Sequence, residues 1–530
     1  MTATATSHRS AVESGRAGFG QVLRAEWTKF RTVRGWLIAT AVAVLIMVAL
    51  GWLTGVGSHS SYDNGPGTPT VTGHPYVPLG PDGEAVNDRF SLVHRSLAGD
   101  GSITARLTSL TGAQVLLNHD DPSAPSETEP APVQPWAKAG LIVKENTKQG
   151  SAYAAIMVTG EHGVRMQYNF TGDKAGPTGT VSAGSPRWLR LTRTGDTLTG
   201  YASPDGTNWT TVGTVRLAGL PSTVQAGLFA ASPVVENVSQ HLGGGGRVTG
   251  GKSQLTAGFD NLTTAGGFAG GDWTGTAVGS DDAQGLDQRG GFQQDGDTMS
   301  VSGSGDIAPD VAGSGDAMEQ TLAGVFGTLT VMVVLGVLFI TGEYRRGMIR
   351  TSLAASPRRG RVLAAKALVI GAVTFVVSLV ATAVTVPLAE HILRGNGNFV
   401  YPVTGLTQLR VIVGTAALLA VASVLALAVG TIMRRSAGAV ATVIVLIVLP
   451  YILAIAGVLP PGPSQWLLRI TPAAGFAIQQ SLPAYPQLSR AFTPAFGFYP
   501  LAPWAGFAVL CGWAALALAA AGYLLRRRDV

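Results

Sequence analysis

Apolar residues run unbroken for about 20 positions in six places: Trp36–Val56, Leu322–Thr341, Ala367–Leu388, Val411–Met433, Ala437–Leu459 and Trp504–Leu525. None carries Asp, Glu, Lys or Arg away from its borders, and each can cross ~30 Å of hydrocarbon as a helix. Between the first two stretches the period changes to two. Val164, Met166, Tyr168 and Phe170 alternate with Arg165, Gln167 and Asn169, and Ile103, Ala105 and Leu107 repeat the pattern. Strand-like runs recur at Ala139–Lys144, Ala152–Val158, Trp188–Thr194, Thr197–Ala202, Thr210–Leu217, Gln225–Ala230 and Leu255–Leu262. Turn signals such as Thr194-Gly195-Asp196 and Pro204-Asp205-Gly206 separate them. The pattern predicts an α-helical polytopic membrane protein with six transmembrane helices and an inserted all-β sandwich. The expected boundaries are a cytoplasmic segment 1–35, a first span 36–56 and an inserted region 57–321. That region divides into a Gly/Pro/Ser/Thr-rich linker 57–88, a sandwich 89–265 and a Gly/Asp-rich tail 266–321. The other five spans follow in 322–530, with a basic loop at 342–366 between the second and third.

Charge sets the expected topology. The net charge of +6 hides two populations, because 57–321 holds 26 acids against 15 bases. With the N-terminus inside, the segments 1–35, 342–366, 434–436 and 526–530 carry 18 Lys/Arg, and the short outer loops 389–410 and 460–503 carry four. Positive charge collects on the cytoplasmic side, so both termini are expected there, with 57–321 outside a plasma membrane. The first apolar stretch is too long for a signal-peptide core, and no clean small-x-small site follows at Gly51–Ser58, so it is read as uncleaved. The basic excess is a topology signal that favours anionic lipid headgroups, and it gives no reason to expect nucleic acid. Cys511, the only cysteine, lies in the last span, so the exported domain is expected to hold together by burial without disulfides.

Gly246-Arg-Val-Thr-Gly-Gly-Lys-Ser253 matches the phosphate-loop spacing G-x-x-x-x-G-K-S. It is rejected as a nucleotide site, because a polar run precedes it, a strand-like run follows it and the charge rule puts it outside the cell. Glycoside hydrolysis needs two carboxylates flanking the scissile bond, whereas Asp173, Asp196 and Asp205 fall in turns. Trp136, Trp188, Trp209 and Trp273 are candidates for stacking on sugars, with sandwich core the favoured reading. The Asp-rich stretch Asp281–Asp316 is read as solvated linker rather than a calcium loop. Within the spans the ionisable residues are Glu390 and His391, at an outer end. Ion-coupled carriers use such groups at membrane depth, so the sequence offers no energy source and no cofactor of its own.

The basic loop supplies a reason for a partner. Glu343-Tyr-Arg-Arg-Gly-Met-Ile-Arg350 and Pro357-Arg-Arg-Gly-Arg-Val-Leu-Ala-Ala-Lys366 gather seven Lys/Arg and one acid, with Glu343 expected to cap or to pair with Arg345 or Arg346. Ahead of the first span, Val22, Leu23, Trp27 and Phe30 fall at helical spacing among Arg24, Lys29 and Arg31, which predicts an amphipathic interfacial helix. These segments together resemble type-2 ABC exporter permeases over 19–56 and 320–530. The resemblance implies a dimer of six-helix halves, identical or not, with a coupling loop at 342–361 that docks a separate ABC ATPase subunit. The residues it assigns to docking are Glu343, Tyr344, Arg345, Arg346, Arg350, Pro357, Arg358 and Arg359, with Trp27, Lys29, Phe30 and Arg31 on the interfacial helix. The segment 460–502 fits that family's short re-entrant outer helices, whereas the whole domain in the first outer loop departs from its pattern. Within that domain, Trp188–Trp209, Ala137–Glu145 and Gly258–Leu262 resemble concanavalin-like jelly-roll domains. That likeness implies a fold and leaves a second reading, a membrane-anchored protein whose sandwich binds cell-surface glycan.

Overall fold

The computed structural model describes residues 18–62, 71–72, 77–116, 127–182, 184–240, 246–279, 290–311, 315–345, 347–348, 358–455, 459, 461–488 and 498–527. A 14-residue helix α1 (Phe19–Thr32) leads into α2 (Arg34–Gly57). Then, beyond the inserted domain, come α3 (Val325–Arg345), α4 (Arg359–Gly395), α5 (Gly405–Met433), α6 (Ser436–Ile455), α7 (Pro461–Ile470) and α8 (Pro503–Arg527). Six of these, α2 to α6 and α8, are long and apolar enough to cross a membrane. The bundle is built around α5, which packs on α3, α4, α6 and α8. Small residues permit this, as at Gly336 of α3, where a Cβ would collide with the backbone oxygen of Ser423. The segment expected to form short outer helices contains α7 and a 3-10 turn at Pro472–Gln479 whose residues are all buried.

Helix α4 has 37 residues, about 55 Å at 1.5 Å per residue, so it outruns the hydrocarbon. It begins at Arg359. Arg359, Arg361 and Lys366, expected in the loop, therefore belong to the helix, because long basic side chains are good helix formers. Arg346, Arg350 and Pro357 of the expected docking set lie outside the described residues.

The inserted domain is a large antiparallel sheet system. After a small ribbon of β1 (Ser61–Tyr62) and β2 (Val71–Thr72) come β3 (Val86–Asp88), the 27-residue β4 (Phe90–Leu116) and β5 (Glu127–Ala131). Next are β6 (Lys138–Lys144), β7 (Tyr153–Thr159), β8 (Val164–Tyr168), β9 (Gly172–Ala175), β10 (Arg187–Thr194), β11 (Thr197–Ser203) and β12 (Thr210–Arg216). The last are β13 (Thr223–Ala231), β14 (Val235–Gln240), β15 (Gly246–Phe268), β16 (Thr274–Val278), β17 (Gly291–Asp295), β18 (Thr298–Gly303) and β19 (Ile307–Pro309). The main path runs β12-β11-β10-β4-β13-β6-β7-β8-β9, with β15 and β16 paired along β4. Strands thus continue past residue 265 into the stretch expected to be a tail. Its Gly, Ser and Asp content disguises them, since β17 and β18 form a hairpin whose polar residues face outward. Gly246–Ser253 lies inside β15, antiparallel to β14 up to Gly251, and so has no helix N-terminus to offer a phosphate.

Two cores explain the apolar pattern. Leu141, Val143, Ala154, Ile156, Ala226 and Leu228 face the sandwich interior. Ile142, Tyr153, Ala155, Met157 and Phe229, at the alternate positions, fill a second core on the opposite face of the same strands. Burial on both faces is why β6 and β7 read as continuous apolar runs, whereas β10, wet on one face, alternates. The second core is closed by the domain's two connections to the membrane, β3 and β19, which pair with each other antiparallel. Two ion pairs fasten this cover. Lys144 Nζ lies 2.7 Å from Asp88 Oδ2 and Lys138 Nζ 2.7 Å from Asp306 Oδ1, with both lysine side chains fully buried. Both lysines belong to β6, six residues apart and so on one face; each aspartate comes from a different connection.

Trp136 is buried and stacks on His162 at 3.9 Å between ring centroids. Trp188, Trp209 and Trp273 are half-buried, each carrying an arginine over its ring: Arg106 at 5.8 Å, Arg190 at 4.0 Å and Arg95 at 4.4 Å. Trp188 and Trp209 lie outside the core clusters, so the core reading fails for them: an arginine covering one ring face satisfies a tryptophan at a sheet surface.

Candidate functional site

The residues that make up α1 set its position. Its buried residues are Val22, Glu26 and Phe30, four apart and hence on one face. Phe30 packs into a pocket with Trp36 of α2 at 5.8 Å and Phe339 of α3 at 6.1 Å between centroids. Burying Phe30 there carries Glu26, one turn earlier, into the same interior. An unpaired carboxylate would be expensive in such a place, and the structure supplies two ammonium groups.

Lys366 of α4, with its side chain fully buried, donates to Glu26 Oε2 at 2.7 Å and to Glu343 Oε1 at 2.6 Å. Lys29 donates to Glu26 Oε1 at 2.9 Å and to Glu343 Oε1 at 3.0 Å. Two acids and two bases thus alternate in a closed quartet that joins α1, the last turn of α3 and the second turn of α4. Phe339 floors it, its ring centroid 4.9 Å from Lys366 Nζ. Glu343 thus pairs with Lys29 and Lys366 rather than with Arg345, while Arg346 lies outside the described residues. The reason is geometric: the final turn of α3 points Glu343 inward, whereas Arg345 is exposed.

The other expected residues separate. Tyr344 is half-buried beneath the guanidinium of Arg434, which sits 5.2 Å from its ring and caps α5 with φ 55°. Arg358 is exposed, and Arg359 donates to the backbone oxygen of Leu525 at 2.7 Å, tying the start of α4 to the end of α8. Trp27 is exposed and stacks on Phe30 at 6.4 Å, while Arg31 faces solvent. The structure thus brings Lys29, Phe30 and Glu343 together, adds Glu26 and Lys366, and leaves Arg31, Arg345 and Arg358 at the periphery. Glu26 carried one legible signal, an acid on the apolar face of an amphipathic helix.

At the opposite end of the bundle a cleft of about 640 Å³ opens among Thr404, Thr407, Arg410, Gln480, Ser481 and Tyr485. Behind its wall, Glu319 accepts from the Ser481 hydroxyl and from the Ser481 backbone N–H at 3.2 Å. Burial pushes the Glu319 carboxyl from its ordinary 4.5 up to about 7, against the Ser481 bonds and the Arg410 charge, which favour ionisation. A folded-state value above the unfolded one means that this group's stabilising contribution is full below about pH 4.5 and is lost as pH rises through 7. Thermal stability of the full-length protein is expected to fall by up to roughly 3 kcal/mol from this group between about pH 5 and pH 8. Differential scanning fluorimetry of wild type and Glu319→Gln checks this, since the variant should lose that slope.

The arrangement defines a class before any comparison: a polytopic helical membrane protein with charge-linked helices at one end, a cleft at the other and a β-sandwich inserted after its first span. Residues 200–530 match the family described as ABC-2 family transporter protein. The chain belongs to that family, whose members are the membrane subunits of transporters. No curated protein matches the chain. Among solved structures, scytalido-glutamic peptidase is similar at 11% identity, with 41% of this chain and 98% of that one covered and a TM-score of 0.25. A GH43 protein, BlXynB, from Bacillus licheniformis is similar at 16% identity, with 32% and 27% covered and a TM-score of 0.19. A protein of unknown function from Saccharomyces cerevisiae is similar at 14% identity, with 42% and 97% covered and a TM-score of 0.20. At such scores nothing of their chemistry transfers.

Proposed function

We propose that this chain is the permease subunit of an ATP-driven exporter, energised by a separate ATPase subunit that docks on the 342–361 loop. The observation that carries the reading is the quartet of Glu26, Lys29, Glu343 and Lys366. A push on the loop acts on the ends of α3 and α4, and the quartet ties those ends to α1, so the three elements move as one block. Hydrogen-bonded charges suit such a joint because their geometry is specific where apolar contacts slide. In this reading the termini are cytoplasmic, two permease halves form the working unit, and the cleft at Arg410 is the outward end of the path. The sandwich is read as concanavalin-like from Trp188–Trp209 and Ala137–Glu145.

Reversing Arg345, Arg346 and Arg350 to Glu is expected to abolish co-purification of the ATPase while leaving membrane insertion intact. Pull-down of the partner from solubilised membranes checks it, and unchanged recovery of the ATPase would overturn the docking assignment. Recovery of no ATPase with the wild-type chain, together with tight glycan binding by the sandwich, would favour a surface-binding protein instead.

A further inference from the structure

Each of the four tryptophans of the inserted domain carries an arginine over its ring. Three of these arginines also give Nε to an oxygen of the protein. Arg106 Nε donates to Asp260 Oδ1 at 2.7 Å, Arg165 Nε to Asp173 Oδ1 at 3.1 Å and Arg190 Nε to Thr104 Oγ1 at 3.0 Å. Arg95, whose guanidinium lies 4.4 Å from the Trp273 ring, is the exception. Its Nε is buried and has no hydrogen-bond partner among the described residues. Arg95 is also the one of the four that lines a cavity, of about 340 Å³, at the small end of the range for ligand pockets. With Nε sealed off, the paired Nη groups are what it offers to that space.

The cavity lies between Arg95 of β4, β15 and the turn of the β17–β18 hairpin. Opposite β4, β15 accommodates one extra residue between Asp260 and Thr263, and Asn261 takes φ 50° there. A bulge of this kind re-aims side chains, and it places Asn261 in the cavity wall beside Thr263 and Thr264. The hairpin adds Asp297, exposed at the rim, and Thr298. The Thr298 hydroxyl donates to the Asp295 carbonyl at 2.8 Å, so its lone pairs stay free to accept. The ends that flank residues 280–289 meet the sheet away from Trp273: a Cβ at Gly279 would touch Arg89, and one at Gly290 would touch Ser91.

A guanidinium held flat by a ring and given no acceptor calls for a carboxylate, which its parallel N–H groups bind side by side. The hydroxyl, amide and carboxylate groups of the other walls call for hydroxyls on the rest of the ligand. Among the described residues only Leu262 and Met299 add aliphatic side chains to the lining. That is a poor setting for the apolar side chains of a peptide and a good one for a polyhydroxylated ring.

We propose that this cavity binds an acidic sugar residue, with its carboxylate on Arg95 and its hydroxyls on Thr263, Thr264, Thr298 and Asp297. The proposal rests on the second reading only in that the sandwich meets glycan, and it is independent of the exporter reading.

The test is isothermal titration of the purified full-length chain with D-glucuronate, D-glucose and acetate. Glucuronate should bind about tenfold more tightly than glucose or acetate, the worth of one charge-assisted hydrogen bond. Arg95→Gln should weaken glucuronate about 10- to 100-fold and leave glucose little changed. Asp297→Asn, in an exposed turn, should weaken both sugars. Arg190→Gln should behave as wild type, because that arginine already has Thr104. Failure of the wild type to bind glucuronate overturns the proposal, as would follow if an acid of the chain such as Asp287 already held Arg95. Equal affinity for glucose and glucuronate overturns it too, and so does acetate binding as tightly as glucuronate, which would mark a plain carboxylate site. Neutral glycan bound by the sandwich without any glucuronate would sink this site and leave the second reading standing.

Discussion

Lys366→Met is expected to destabilise the membrane domain by about 3–5 kcal/mol, the usual result of removing one member of a buried charge network and stranding its partners. Lys366 is the only quartet member whose side chain is fully buried, and it bonds both acids. Without it, Glu26 and Glu343 face each other with Lys29 alone between them. A thermal-shift measurement on the purified full-length protein checks the direction and the size. A second variant separates charge from shape. Lys366→Met with Glu343→Gln should recover part of the loss, because one cation then faces one buried anion. If the single variant is as stable as wild type, the quartet does not hold these helices together.

The second large effect lies in the inserted domain. Lys144→Met should cost about 3–5 kcal/mol by leaving Asp88 buried without its cation. Burial lowers the Lys144 pKa and raises that of Asp88. Each charge is thus held there against its own desolvation, and the bond between them is what offsets it. The expected readout is local: protease cleavage near Ala85–Asp88 and Ile307–Pro309 should accelerate while the spans stay protected. The double replacement Lys144→Met/Asp88→Leu should lose much less, since apolar isosteres often replace buried ion pairs without penalty. Equal protease resistance of wild type and Lys144→Met would show that the apolar packing of Ile142, Tyr153 and Phe229 closes the face unaided.

How much of this was legible in the chain follows from the range of each interaction. The spans were readable because hydropathy is a local sum, and the expected Trp36–Val56 compares with α2 at Arg34–Gly57. The sandwich announced itself through alternation in strands wet on one face, such as β10. It was obscured in β17 and β18, where Gly, Ser and Asp in a solvated hairpin imitate a linker. The quartet as a whole was out of reach, because Glu26 and Lys366 are separated by 340 residues, and the acid on the apolar face of α1 shows that a partner is needed without saying which. The ion pairs of Lys138 and Lys144 were equally hidden, since their partners lie on connections whose pairing no local pattern records.

The antiparallel pairing of β3 with β19 has a mechanical consequence. A domain hung from one strand can swivel, because rotation about single bonds in one connection meets little resistance. A domain hung from two strands bonded to each other cannot turn without shearing that ladder, and this one is held further by Gln487, whose side chain donates to the Phe170 and Thr171 carbonyls. Torque applied at the ends of the spans next to the sandwich therefore passes into it as tilt. Its orientation relative to the bilayer normal becomes a pointer to the state of the helices beneath it, which a pair of fluorophores on the sandwich and on the 396–404 loop could follow one molecule at a time.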